Sequence, residues 1–349
     1  MKYIVTGGAG FIGSALIRML ITDYKHEVIC VDNLSYSSNL KSLEKISSSK
    51  RYTFVNEDIC NESGILDILN KYKPDGVFHL AAQTHVDRSI DSPGEFIINN
   101  IVGTFSVLEA FRKYYFSQTA DAQKNLRFLH VSTDEVYGSL DFNQASSKEH
   151  DRYFPSSPYS ASKAASDHLA TAWFRTYDVP IMVSNCTNNY GPWQFPEKLI
   201  PRVIYKALNG EPIEVYGTGK NVREWLHVND HSSALISIMT KGVIGEFYNV
   251  GSGLEVSNIE LVKMLCVIFN DLMPKFTGGY EELISFVKDR PGHDLRYSLS
   301  SEKLQRELGY APQVNLMDGL KDTVVWYLAH KDEFFEDVDS VSQRMGTAE

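Results

Sequence analysis

A glycine-rich turn near the start of the chain restricts the fold more than any other feature. Gly7-Gly8-Ala9-Gly10-Phe11-Ile12-Gly13 follows an apolar run, Tyr3 to Thr6, and leads into a helical pattern from about Ser14. Glycines at 7, 10 and 13 let the turn tighten, let backbone N–H groups approach a pyrophosphate, and let the helix pack close to a sheet. Such a turn alone is a weak signal, and its surroundings strengthen it. The second apolar run, Glu27 to Val31, ends at Asp32, 19 residues after Gly13, where an acid accepts the 2′-hydroxyl of a ribose. Asp32 would repel a 2′-phosphate, and no Arg or Lys between 33 and 40 is there to receive one. The pattern calls for NAD rather than NADP.

Further apolar runs alternate with helical patterns: Tyr52 to Val55, Gly76 to Leu80, Leu126 to Ser132 and Ile181 to Asn185. This βαβ rhythm predicts a Rossmann-type, doubly wound parallel sheet covered on both faces. After Cys186 the rhythm breaks, and turn residues and short strands are expected from Asn188 to Gly219. The division predicted is an NAD-binding domain over 1–185, with segments returning at about 222–252, and a smaller C-terminal α/β substrate domain over 186–221 and 253–330. The acidic, weakly patterned stretch 331–349 is expected to be a frayed tail.

A length of 349 residues exceeds what one hydrophobic core usually supports. A net charge of −10 argues against a nucleic-acid surface, so an anionic ligand needs a local basic pocket. No apolar stretch reaches membrane-spanning length and no secretory leader is recognisable, which together predict a cytoplasmic protein. Cys30, Cys60, Cys186 and Cys266 are scattered, which favours reduced thiols over a metal site or disulfides.

Chemistry concentrates in two places. Ser132-Thr133-Asp134-Glu135-Val136-Tyr137-Gly138 puts an adjacent acid pair and a hydroxyl at the end of a buried strand. Adjacent acids more often cap a helix or line a solvated loop, but the strand end beside Thr133 favours catalysis. Tyr159 and Lys163 stand i and i+4 on a helix opened by Pro158, one turn apart on one face. A phenol with a pKa of about 10 is a poor base at neutral pH, and the neighbouring ammonium and a positively charged nicotinamide are both expected to favour the phenolate. Asp58-Ile59 and Leu80-Ala81-Ala82-Gln83-Thr84 fall at the carboxyl ends of strands, where ligands bind in open α/β sheets.

The glycine fingerprint, the Ser/Thr segment and Tyr159-Ser160-Ala161-Ser162-Lys163 resemble the extended short-chain dehydrogenase/reductase superfamily, which acts mostly on nucleotide sugars. Within it, residues 132–138, Asn188-Asn189-Tyr190-Gly191-Pro192-Trp193-Gln194-Phe195-Pro196-Glu197-Lys198-Leu199-Ile200-Pro201 and Asp289-Arg290-Pro291-Gly292-His293 resemble the dTDP-glucose 4,6-dehydratase family. The resemblance implies an NAD-dependent lyase that oxidises glucose at C4, eliminates water across C5 and C6, and returns hydride to C6. Glu135 is then the C5 base, Asp134 the acid for the C6 hydroxyl, Thr133 the partner of the C4 oxygen, and Tyr159 with Lys163 the oxidation couple. It further implies cofactor contacts from Phe11, Ile12, Asn33, Ser35, Asn99 and Asn189. The nucleotide sugar is expected at Thr84, Thr133, Asn188, Lys198 and Leu199, with Val215, Tyr216, Arg223, Asn258, Arg290 and His293.

UDP-sugar epimerases and UDP-glucuronate decarboxylases share the NAD site and the Tyr-Lys couple but typically lack the Asp-Glu pair. A UDP-glucose 4,6-dehydratase differs by the recognition of one methyl group, a discrimination of about 1–3 kcal/mol. A non-catalytic NAD-binding protein is the alternative of another class, opposed by the intact Thr133, Asp134, Glu135, Tyr159 and Lys163. By the same resemblance, helices from about Glu95 to Tyr115 and from Tyr159 to Tyr177 pair across a two-fold axis. A homodimer is expected, with Phe105, Leu108, Phe111, Ala172 and Trp173 serving either that seam or the monomer core.

Overall fold

The computed structural model describes residues 1–275 and 277–335. Seven strands form one all-parallel sheet: β1 (Lys2–Thr6), β2 (Glu27–Asp32), β3 (Tyr52–Asn56), β4 (Gly76–His79), β5 (Arg127–Thr133), β6 (Ile181–Cys186) and the later Phe247–Val250. Their order is Phe247–Val250, β6, β5, β4, β1, β2, β3. Chain order reverses between β1 and β4, which opens a crevice at the carboxyl ends of those two strands.

The strands are apolar almost throughout because both faces are covered. Tyr3 and Val5 point to one face, joining Leu16, Leu20, Phe78 and Met239 in a core under helices Phe11–Thr22 and Val228–Lys241. Ile4 points to the other and joins Ile29, Val77, Leu108, Phe111 and Phe128 under helices Glu62–Tyr72, Thr104–Ser117 and Pro158–Tyr177. Leu108 and Phe111 are therefore core residues. Phe105 is 40% exposed, with its ring edge-on to Trp173.

The remainder builds a second core. β7 (Asn188–Tyr190), β9 (Val222–His227) and β11 (Glu255–Ser257) form a three-stranded sheet, while β8 (Ile213–Tyr216) pairs in parallel with β12 (Ile284–Val287). In chain order Phe247–Val250 is β10. Helices Leu199–Asn209, Asn258–Leu272 and Leu316–Ala329 close this core around Ile204, Leu265, Phe269, Tyr280 and Tyr327. β9 thus leaves the large sheet alone, and the chain returns to it through Val228–Lys241 and β10.

Three sequence expectations need correction. The span expected to hold only turns and short strands contains the helix Leu199–Asn209, whose Ile200, Val203, Ile204 and Ala207 share a buried face. Pro201 is compatible with it because the N–H groups of the first turn have no partner inside the helix. The long helix expected from Glu95 is interrupted by a π-helical segment, Ile97–Gly103, before Thr104–Ser117 begins. The stretch expected to fray from 331 starts with a short helix, Lys331–Phe334. Phe334 packs edge-on against Trp326 and Tyr327, and the Phe335 ring stacks on Tyr327. Residues 336–349 of the predicted tail lie outside the described residues.

Candidate active site

The crevice between β1 and β4 opens into a cleft of about 1490 Å³, its mouth included. Gly7, at φ +68°, lies against Ala81, whose backbone nitrogen would be 2.7 Å from an added Cβ. A Cβ on Gly13 would meet the Gly7 carbonyl oxygen at 2.2 Å, so only glycine lets the helix start this close to the turn. Gly10 N-caps that helix without any side-chain bond, leaving its first N–H groups facing the cleft. That places the helix start at Phe11 rather than Ser14.

Asp32, at the end of β2, accepts hydrogen bonds from the Ala9 and Leu34 N–H groups at 3.0 and 2.9 Å and from the Ser38 hydroxyl at 2.8 Å. It therefore ties the turn after β2 to the glycine turn as well as facing the cleft. Phe11, Ile12, Asn33, Ser35 and Ile59 line the same wall. Asp58 lies just behind, receiving the Asn33 amide at 3.1 Å and the Cys60 N–H at 2.8 Å. Leu80, Ala81, Ala82, Thr84, Asn99 and Asn189 complete the cofactor residues expected from sequence. Asn189 is locked in place by the Thr187 carbonyl oxygen and by His231.

The residues fit a large polar guest. Among the described residues, six buried side-chain oxygens on the cleft wall have no hydrogen-bond partner: Asn99 Oδ1, Ser132 Oγ, Asp134 Oδ2, Thr187 Oγ1, Asn188 Oδ1 and Gln194 Oε1. Acceptors buried this way are costly unless something meets them. A dinucleotide with ribose and amide donors, laid over the glycine turn, supplies those partners.

β5 ends at Thr133, which N-caps the short 3₁₀ turn Asp134–Tyr137 by accepting the Glu135 N–H at 3.3 Å. The same hydroxyl donates to Asp134 Oδ1 at 3.1 Å and shares a hydrogen bond with Tyr159. Burial, reinforced by the charge of Glu135, pushes the Asp134 carboxyl well above the ordinary range. Glu135 is also raised by burial, but Arg290, Arg223 and Lys198 oppose that rise. Burial thus raises both neighbours, and the rise is opposed by three cations at Glu135 and by Arg223 at Asp134, so the two surroundings are unequal.

Ser157 and Ser160 form a reciprocal capping box that starts helix Pro158–Tyr177 and fixes Tyr159 in its first turn. Lys163 Nζ donates to the Val131 carbonyl oxygen at 2.8 Å. Burial, with Glu135 and Cys186 adding to it, raises the Tyr159 phenol well above its usual value. The protein's own groups hold Tyr159 neutral.

The residues expected on the nucleotide sugar fall into two sets. Thr84, Thr133, Asn188 and Lys198 line the cleft, and Lys198 Nζ also donates to the Thr84 carbonyl oxygen at 2.8 Å. Arg223, Arg290, His293, Tyr216 and Asn258 sit on the second unit, outside the wall of that cleft. Arg223 stacks on Tyr297, Arg290 reaches Asp87 at 3.3 Å, and His293 pairs with Asp289 at 2.6 Å. The Val215 side chain is buried in the second core and Leu199 packs against that core, which leaves their backbone groups for any ligand.

Sequence reasoning missed a clasp beside the cleft. Tyr36 donates to Glu197 at 3.1 Å, Arg88 lies 3.7 Å above the Tyr36 ring, and Arg88 and His85 each approach Glu197 at 3.9 Å. It also missed Asp87 as the acidic partner of Arg290 and Tyr216. Each pairs residues far apart in the chain, and no local spacing announces them.

The model of the GDP-mannose 4,6 dehydratase family matches residues 4–323. The chain belongs to that family. It is 51% identical to the dTDP-glucose 4,6-dehydratase of Neisseria meningitidis serogroup B, over 95% of this chain and 94% of the relative. Among solved structures, the Streptomyces venezuelae dTDP-glucose 4,6-dehydratase with NAD bound superposes with a TM-score of 0.86 at 41% identity, covering 95% of this chain and 98% of that one. The Bacillus anthracis dTDP-glucose 4,6-dehydratase in complex with NAD gives 0.84 at 37% identity, covering 96% and 99%. Among the described residues no helix is long and apolar enough to cross a membrane, and no group of three or more His, Cys, Asp or Glu is placed to hold a metal ion.

Proposed function

We propose that this protein is an NAD-dependent hydro-lyase that converts dTDP-glucose to dTDP-4-keto-6-deoxyglucose and water. The observation that carries the reading is the Asp134-Glu135 pair, held in unequal electrostatic surroundings beside Thr133 and Tyr159. Epimerisation at C4 has no use for such a pair.

Gly10, Asp32 and Asn99 would hold NAD over the glycine turn, and the bound cofactor would supply the hydride acceptor for C4 and the hydride donor for C6. Tyr159 accepts the proton of the C4 hydroxyl, and Thr133 holds that oxygen. The C4 ketone acidifies the C5 hydrogen, which Glu135 removes, while Asp134 protonates the C6 hydroxyl so that water leaves. Glu135 then gives its proton back to C5. The Thr133 hydroxyl, bonded to both Tyr159 and Asp134, is the path by which the C4-hydroxyl proton replaces the one Asp134 has spent. Lys163 would hold the cofactor ribose, and the positive nicotinamide together with the Lys163 ammonium would offset the burial that otherwise keeps Tyr159 protonated, so that the phenol can act as the base. The proposed nucleotide contacts are Arg223, Arg290, His293 and Asn258, with Arg290 released from Asp87 to meet phosphate.

The same reading places the protein in the cytoplasm as a homodimer. The exposed apolar residues Ile97, Ile98, Val102 and Phe105, continuous with Trp173 and Tyr177, support a helical interface between two copies. It also assigns the NAD domain to 1–185 with the chain returning through Val228–Lys241 and β10, and the sugar-nucleotide domain to the rest through 330. Purified protein supplied with dTDP-glucose should form a 4-keto sugar without net reduction of NAD. No ketone from dTDP-glucose, with turnover of UDP-glucose in a parallel reaction, would overturn the thymidine assignment.

A further inference from the structure

Helix Pro158–Tyr177 carries a third buried ionisable group on the face of Tyr159 and Lys163. Asp167 lies one turn beyond Lys163, at i+4, and is completely buried. Its Oδ1 meets His130 Nε2 on β5 at 3.1 Å. Its Oδ2 accepts from the Tyr153 hydroxyl at 2.9 Å and from the Asn185 amide on β6 at 3.1 Å. That amide also reaches the Thr133 carbonyl oxygen at 3.2 Å. Taking a carboxylate out of water costs several kcal/mol unless charge and hydrogen bonds compensate. Nothing in the proposed chemistry uses Asp167, so its burial calls for a role.

The other groups around Lys163 give it no counter-charge. His79 on β4 and His130 on β5 are held below their usual pKa by burial, with Lys163 adding to the effect, and both are neutral. The Cys186 thiol on β6 is pushed up by burial and stays protonated. Tyr159 is neutral as well. Burial lowers the Lys163 pKa, and Asp167 is the first of the groups opposing it.

We infer that Asp167 is a positioning residue of the oxidation half-site: its carboxylate is the counter-charge of the Lys163 ammonium and, through Asn185, fixes the Thr133 end of β5. It touches neither substrate nor cofactor and acts through those two residues. The inference rests on the proposed dehydratase chemistry only for its kinetic readout.

Asp167→Asn keeps the shape and removes the charge. Without it Lys163 loses its proton at lower pH, so the alkaline limb of kcat for C4 oxidation in the holoenzyme should move down by about one unit or more. A residue that only braces the core lowers the melting temperature and leaves that limb in place. The independent arm is a stability cycle. Removing one member of a buried charge pair strands the other, so Asp167→Asn combined with Lys163→Met should melt higher than Asp167→Asn alone. If Asp167→Asn folds, an unmoved alkaline limb overturns the inference. If it does not fold, failure of the double variant to recover folding overturns it. Loss of the dehydratase reading would instead appear as an unaltered protein inactive on dTDP-glucose, with the stability cycle unaffected.

Discussion

Replacing Glu135 with Gln isolates the elimination step. The side chain keeps its length and its place on the 3₁₀ turn after Thr133, and loses only the capacity to take a proton. Removal of a positioned general base costs about 10²–10⁴-fold, or roughly 3–5 kcal/mol of barrier at 1.36 kcal/mol per decade. C4 oxidation does not use Glu135, so a single turnover should still build up the near-ultraviolet absorbance of reduced nicotinamide, while ketone product lags by that factor. With dTDP-glucose deuterated at C5, the unaltered enzyme should release the label to water and Glu135→Gln should retain it. The structure also sets the pH dependence. The base works ionised and burial raises its pKa, so activity should fall on the acid side above the ordinary carboxylate range. Arg290→Met removes the strongest of the opposing charges and should move that acid limb to still higher pH. Deuterium loss from Glu135→Gln at the unaltered rate would refute the assignment of the C5 base.

Asp134→Asn should abolish dehydration yet stabilise the fold at neutral pH. A carboxyl whose folded pKa is raised binds its proton more tightly folded than unfolded, so its stabilising contribution is lost as pH rises above the unfolded value of about 3.9. Asn carries no such dependence, so the melting-temperature gain should grow from pH 4 to 7, and a gain of zero at pH 7 would count against a neutral Asp134. Asp32→Ala should weaken NAD binding and narrow its preference over NADP in calorimetric titrations, and it should also loosen the turn by freeing the Ala9 and Leu34 N–H groups. Tighter NADP than NAD binding by the unaltered protein would refute the cofactor assignment. Ile98→Glu with Phe105→Glu charges two exposed apolar positions and should yield monomers by light scattering, whereas an unaltered protein already monomeric at micromolar concentration would remove the proposed interface.

The parts of the site legible in the sequence are those whose geometry is local. The glycine turn, Asp32 at a strand end and Tyr159 with Lys163 at helical spacing each fix their arrangement within one turn or one βα unit. The parallel sheet covered on both faces was legible because its strands are apolar on both faces, whereas their order was not. Helix Leu199–Asn209 was hidden because Pro201 punctuates the sequence although it is harmless in a first turn. Glu197 and Asp87 were illegible for a different reason. Their partners, Tyr36 and Arg290, stand 161 and 203 residues away, and only the assembled fold brings them together. Spacing also puts the Lys163 ammonium on the face of Tyr159 but does not show that it bonds to the Val131 carbonyl oxygen.

Asp134 and Glu135 differ in which parts of the chain surround them. Both acids leave β5 on one 3₁₀ turn, and sequence gives no reason for them to differ. Asp134 turns into the polar end of the large sheet, where Thr133 is its hydrogen-bond partner and its second oxygen has none in the protein. Glu135 meets cations that all arrive after β6: Lys198 before the helix Leu199–Asn209, Arg223 from β9, and Arg290 beyond β12. Arg223 also opposes the rise at Asp134, so the chain beyond β6 acts on both acids and with more cations on Glu135. The cations proposed for the nucleotide therefore also oppose the rise that burial imposes on Glu135, which couples the proposed elimination to the docking of the second core.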